Sequence, residues 1–168
     1  MDRHAKTKPR VTEIIRAVGL GKDFSQIDPF YRDRGTACHK AIELYLKGTL
    51  DLESIDDCYK GHFEGFLAWW EIAKGKGKIE SELHLENEDY QGTIDLLYGG
   101  YIYDFKCSKS HDPVAEIQGA GYRKLVGNGS PFVVIQLPGD GSYKRTDYAS
   151  PVKLWDAVWE IYCWKTKK

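Results

Sequence analysis

A chain of 168 residues, 42 % hydrophobic and 13 % aromatic, is long and apolar enough to bury one domain-sized core. Its formal net charge of -1 argues weakly against a nucleic-acid binder, since local patches outweigh the sum. Four cysteines, none at C-x-x-C spacing, speak against a zinc ribbon or a thioredoxin-type site; with no signal-like or bilayer-length apolar run, free thiols in a reducing, cytoplasmic compartment are expected.

Residues 1–10 are polar and basic (Arg3, Lys6, Lys8, Arg10), and a flexible start is expected. Residues 11–18 read as a helix with Thr12 as N-cap and Ile14, Ile15 and Val18 as its apolar stripe. The GLGKD stretch that follows is not a phosphate loop, because Arg16 and Asp23 stand where Gly and Ser or Thr are needed. Residues 35–47 predict a helix that Gly48 ends, and 57–74 a second one with Phe63, Phe66, Leu67 and Trp70 at core spacing. A KGKGK loop leads into a strand at 79–86, where Ile79, Ser81, Leu83 and Leu85 alternate with Glu80, Glu82, His84 and Glu86. A hairpin covers 92–109. Asp112-Pro113 reads as an N-cap and first helical position for a helix to about Val126. A buried strand at 131–137, a PGDG turn, an edge strand at 143–148 and a helix opening at Ser150-Pro151 complete the order. The sum is one α/β (α+β) domain over 1–168, with 11–75 helical and 79–168 holding a mixed sheet flanked by helices.

The hairpin carries the chemistry. Gly99-Gly100 makes a two-residue turn, so counting outward pairs Leu96 with Tyr103, Asp95 with Asp104 and Thr93 with Lys106. Ile94, Leu96 and Tyr98 then share a core face with Tyr101, Tyr103 and Phe105. Asp95, Asp104 and Lys106 share the other. Two carboxylates directly opposite destabilise a sheet unless something offsets them, and a divalent cation would. A solvated face with Lys106 simply pairing Asp104 is the plainer alternative at this point. The 79–86 strand could add Glu80, Glu82 or both to such a site.

The acid of GTID at Asp95, followed by DFK from Asp104 to Lys106, resembles the PD-(D/E)XK nuclease superfamily. RGTACH from Arg34 to His39, and QGAGY from Gln118 to Tyr122, are similar to the Arg-Gly-…-His helix and Gln-x-x-x-Tyr motif of its RecB-type branch. The likeness runs over about 9–126 and extends to single-domain phage members and the mitochondrial genome maintenance exonuclease. It implies a restriction-endonuclease-like core and one or two Mg²⁺ or Mn²⁺ ions. His39, Asp95, Asp104, the Phe105 carbonyl and Glu82 (Glu80 its rival) would hold them. It implies a catalytic set of Glu82, Asp95, Asp104, Lys106, Gln118 and Tyr122, with Arg34, Gln118 and Tyr122 near DNA. Lys106 would orient or deprotonate water or stabilise charge, and its acidic neighbours favour the last role. Tyr31 and Trp69 are candidates to stack on bases, Trp69 equally a core residue. Only Cys163 lies late in the chain, so the iron–sulfur cluster of some relatives is not expected. The reaction implied is metal-dependent DNA hydrolysis, as an exonuclease on single strands or ends. A same-fold endonuclease and a non-catalytic DNA-binding accessory protein are the alternatives. No helicase module is present, so a helicase, single-strand-binding or recombination partner would come from outside.

Overall fold

The computed structural model describes residues 7–21, 28–110 and 112–167; Arg3, Lys6, Asp23 and the last residue, Lys168, lie outside them. Among the described residues the elements run α1 (Val11–Ala17), α2 (Pro29–Leu46), a 3-10 turn (Leu52–Ser54), α3 (Asp57–Ala73), β1 (Glu80–Glu86), β2 (Gln91–Tyr98), β3 (Tyr101–Lys106), α4 (Ala115–Val126), β4 (Phe132–Gln136), β5 (Lys144–Tyr148) and α5 (Val152–Thr166). The five strands stand in sequence order in one mixed sheet. β3 and β4 are parallel, with α4 as their crossover, and the other neighbours are antiparallel. This is the expected α+β architecture and element order.

Helices cover both faces. Phe63, Phe66, Trp69 and Trp70 of α3, with Cys38, Ala41 and Ile42 of α2, pack on Leu96, Tyr98, Tyr103, Phe105, Val133 and Ile135. Across the sheet, Val11, Ile14 and Ile15 of α1, Ala120 and Tyr122 of α4, and Trp155 and Val158 of α5 pack on Ile94, Ile102, Phe132 and Val134. Trp69 is only 3 % exposed and belongs to the core, which removes it as a base-stacking candidate.

Several boundaries differ from the sequence reading. Arg10, not Thr12, caps α1; its N–H donates to the Glu13 carboxylate at 2.8 Å, which frees Thr12 for the first turn. α2 starts six residues early, because Asp28 accepts from Phe30 N–H at 2.9 Å and Pro29 fits the first turn. Asp112-Pro113 forms a turn instead, and α4 begins at Ala115. Trp155, fully buried, anchors α5.

The largest correction concerns β2. Ile94 lies on the α4 side of the sheet, whereas Leu96 and Tyr98 lie on the α3 side, so they do not share a face. The strand changes sides across Asp95. There the β1 ladder skips the Glu82–Asp95 position, and the β3 ladder ends at Leu96–Tyr103. Glu82 has φ +50°, a left-handed conformation that a glutamate adopts at a cost. A local break on both sides of one residue re-aims the side chains there.

Candidate active site

The break in β2 is what exposes Asp95 to chemistry. Released from the ladder, its Oδ2 accepts from the Phe105 N–H at 2.7 Å and lies 3.5 Å from Nδ1 of His39 on α2. Glu82 of β1 completes a group: one ligand atom each from His39, Glu82 and Asp95 lie within 4.8 Å of one another. Glu80 is not part of it; its carboxylate pairs with Lys78 at 2.6 Å. The period-2 polar face of β1 left both glutamates eligible, and the left-handed turn at Glu82 separates them.

Asp104 goes elsewhere. The gap between Asp95 and Asp104 in the ladder sends the two carboxylates to different partners, so they do not form the single opposed pair that counting predicted. Asp104 Oδ1 accepts from Gln118 Nε2 at 3.0 Å and Lys106 Nζ at 3.2 Å. Its Oδ2 lies 2.9 Å from Nζ yet is buried with no hydrogen bond of its own. Gln118 also accepts from Lys106 Nζ at 3.1 Å through Oε1 and donates to Tyr122 Oη at 3.0 Å. Gln118 and Tyr122 are both buried, behind the Asp104–Lys106 pair, so neither presents an open surface to DNA. Their spacing of four on α4 is what lines them up with it.

The electrostatics follow from burial and pairing. Burial opposes a charged His39, but the Asp95 carboxylate outweighs it through charge and hydrogen bonding, and the imidazole is pushed up to about 10. Burial likewise works against an ionised Asp95, and His39, the Phe105 N–H and Lys106 overcome it, holding that carboxyl low. Glu82 is pushed up to about 6 by burial and then by the charge of Asp95. Burial, with help from Asp95, also raises Asp104 against the pull of Lys106. Lys106 itself resists its burial and sits above the ordinary lysine range because Asp104 and Asp95 face it. It is an ammonium, not a free base.

Solved structures share this architecture. An alkaline exonuclease from Laribacter hongkongensis (LHK-Exo) matches with a TM-score of 0.54 at 15 % identity, over 95 % of this chain and 86 % of that one. A phage related exonuclease from Haemophilus somnus 129PT matches with a TM-score of 0.51 at 13 % identity, over 95 % and 92 %. The chain shares the fold of these two proteins. It is the fold the resemblance implied, although no protein-family model and no curated protein matches the sequence.

Within this fold a cleft of about 530 Å³ opens above the sheet. His39, Glu82, Asp95, Phe105 and Lys106 line it, and α2 adds Tyr31, Arg32, Gly35, Thr36, Lys40 and Glu43. The α2 residues recur at helical spacing from His39, a polar stripe that the sequence reading passed over. Arg34, expected at DNA, does not line the cleft; its guanidinium lies over the Tyr31 and Phe30 rings at 5.1 and 5.9 Å, with Nε buried and unpartnered. Lys106 also borders a cavity of about 90 Å³ beside Arg16, Asp112 and Gln118.

The donor set suits a divalent cation. Two carboxylates supply hard oxygens and one imidazole accepts borderline metals such as Mn²⁺. The Asp95 carboxylate favours a proton on His39, which a bound cation would displace. Oδ2 of Asp104, ion-paired with Lys106 Nζ at 2.9 Å, is a further buried carboxylate oxygen on the same side-chain network. Cys107 also lines the cleft, but its hydrogen bond with Cys38 and then its burial push the thiol up, which makes it a poor nucleophile.

Proposed function

We propose that this protein is a divalent-metal-dependent deoxyribonuclease, an exonuclease acting on single-stranded DNA or DNA ends. The observation that carries the reading is the convergence of His39, Glu82 and Asp95 beside a charged Lys106 in an open cleft. That both structural neighbours are exonucleases supports it.

His39, Glu82 and Asp95 would hold the cation, with Asp104 and the Phe105 carbonyl as further ligands. Bound there, Mg²⁺ or Mn²⁺ would lower the pKa of a water and stabilise charge on the phosphate. Lys106 contributes a fixed positive charge and N–H donors toward the phosphate oxygens, at a site where they are strongest because water is partly excluded. Asp104 keeps that ammonium charged, and Gln118 holds both through opposite ends of its amide. Tyr122 buttresses Gln118 from behind. Gln118 and Tyr122 are thus positioning residues. DNA replication, recombination, repair or phage DNA processing goes with this activity, alongside a helicase or single-strand-binding partner.

The test uses end-labelled linear and circular DNA, single and double stranded, with Mg²⁺ or Mn²⁺. Loss of linear but not circular molecules is expected. Cutting of circles would make the protein an endonuclease of the same fold, and cutting that survives both Asp104→Ala and Lys106→Ala would remove the site from the chemistry.

A further inference from the structure

The start of α2 carries two large rings that the core does not bury. Phe30 and Tyr31 are 53 % and 55 % exposed and meet edge to face at 5.6 Å, and Tyr31 lines the cleft. Exposed aromatics on a helix end usually disperse; these are fixed. Pro29 and the Asp28 cap hold the backbone, and Arg34 lies over both rings, so they lose little freedom on meeting a ligand.

Gly35 supplies an independent observation. It lies in mid-helix, where glycine weakens a helix, yet a Cβ built on it meets nothing within 4 Å. No neighbour in the fold demands glycine there. Gly35 lines the cleft one turn from Tyr31 and one turn from His39, on the same face. Its missing side chain leaves a floor between the rings and the candidate cation site. Arg32 and Lys40, ion-paired with Asp33 and Glu43, flank that floor.

Resting on the nuclease reading, we infer that the Tyr31–Gly35–His39 face of α2 is a track for single-stranded DNA, with Tyr31, backed by Phe30, stacking a base and Gly35 admitting the backbone. Eight residues separate Tyr31 from His39, about 12 Å along the helix, which corresponds to roughly three stacked nucleotides. A paired base has its faces covered by its own stack, so the rings favour an unpaired strand. Base stacking on an aromatic ring is sequence-tolerant, so the track reads strandedness and not sequence.

The experiment measures binding of a fluorescent oligothymidylate in Ca²⁺, which suppresses cleavage, and degradation of the same strand in Mn²⁺. Tyr31→Ala is expected to weaken oligothymidylate binding by about ten-fold, and Tyr31→Trp to restore it. Gly35→Ala is expected to raise the melting temperature slightly while weakening binding, and Gly35→Leu to weaken it further with the fold intact. Duplex binding should change little. Trp164→Ala, at an 80 % exposed ring on α5 away from the cleft, is the control and should bind as the parent does. If the parent cuts and binds the strand but Tyr31→Ala and Gly35→Leu do so equally well, the track is overturned and the nuclease reading stands. If the parent cuts no DNA in Mg²⁺ or Mn²⁺, the nuclease reading falls and the track with it.

Discussion

At Asp95 three contacts converge: the Phe105 N–H, the His39 imidazole and the neighbouring Glu82. Replacing Asp95 with asparagine keeps the shape and removes the charge that holds His39 protonated. His39 should then titrate nearer the ordinary histidine range, which NMR of its ring protons would show; a value still near 10 would mean another anion holds it. The same residues set a pH rule for the cation. Binding needs Glu82 ionised and His39 neutral, so it must displace protons held up to about 6 and about 10. The rise in melting temperature caused by Mn²⁺ should therefore grow as pH climbs through 6 and keep growing toward 10. Without the cation the signs reverse. The share of stability from a raised Glu82 is lost as pH rises through 6, and that from His39 as it rises through 10. A Mn²⁺ shift independent of pH would contradict the ligand set. Gln118→Ala should lower the turnover rate about ten- to a hundred-fold with little change in KM, because it unseats Lys106 without touching substrate. A KM effect alone would make Gln118 a substrate contact.

Two helices are shaped by glycines that the packing requires. A Cβ on Gly119 of α4 would collide with the Phe132 ring and Ser150 Oγ, and one on Gly121 would lie 2.9 Å from the Trp155 ring. Alanine at 119 gains helix propensity of about 1 kcal/mol, but overpacking costs about 1–3 kcal/mol. Gly119→Ala should thus lower stability in denaturant unfolding, whereas Gly35→Ala should not; equal effects would mean the two helices are packed alike. On α3, Gly61 and Gly65 do the same against the backbone of Gly139 and Ser142, and His62 Nδ1 meets the Leu137 carbonyl at 2.7 Å. Legibility also divides at this scale. The Gly99-Gly100 turn set the β2–β3 register near the turn, since only local chemistry is involved. The side switch at Asp95 was illegible because it depends on Glu82, thirteen residues upstream, taking φ +50°. The Asp-Pro signal was read at 112 and missed at 28, yet the second is the one that opens a helix. A dipeptide says where a helix can start, and tertiary packing decides whether it does.

Across the whole molecule, the sheet separates two cores while α2 and α4 bring polar faces to its opposite sides. The candidate site lies where β2 crosses between them, so His39 reaches it from one side and Gln118 from the other. Such a site cannot be read from any single motif. Asp95, Asp104 and Lys106 were visible in one hairpin, but their division into two linked groups, one around His39 and one around Lys106, required the finished sheet. Arg34 shows the same limit: its place in a motif pointed to DNA, and the fold gives it two rings to hold. No described helix is long and apolar enough to cross a membrane. The central claim is that His39, Glu82 and Asp95 form a cation-dependent hydrolytic centre. The most direct test is the initial rate of linear single-stranded DNA hydrolysis in Mn²⁺, in excess chelator, and for Asp95→Asn in Mn²⁺. The account predicts cutting in Mn²⁺ alone, with Asp95→Asn slower by at least about a hundred-fold. Equal rates for the two proteins, or cutting that persists in chelator, would contradict it.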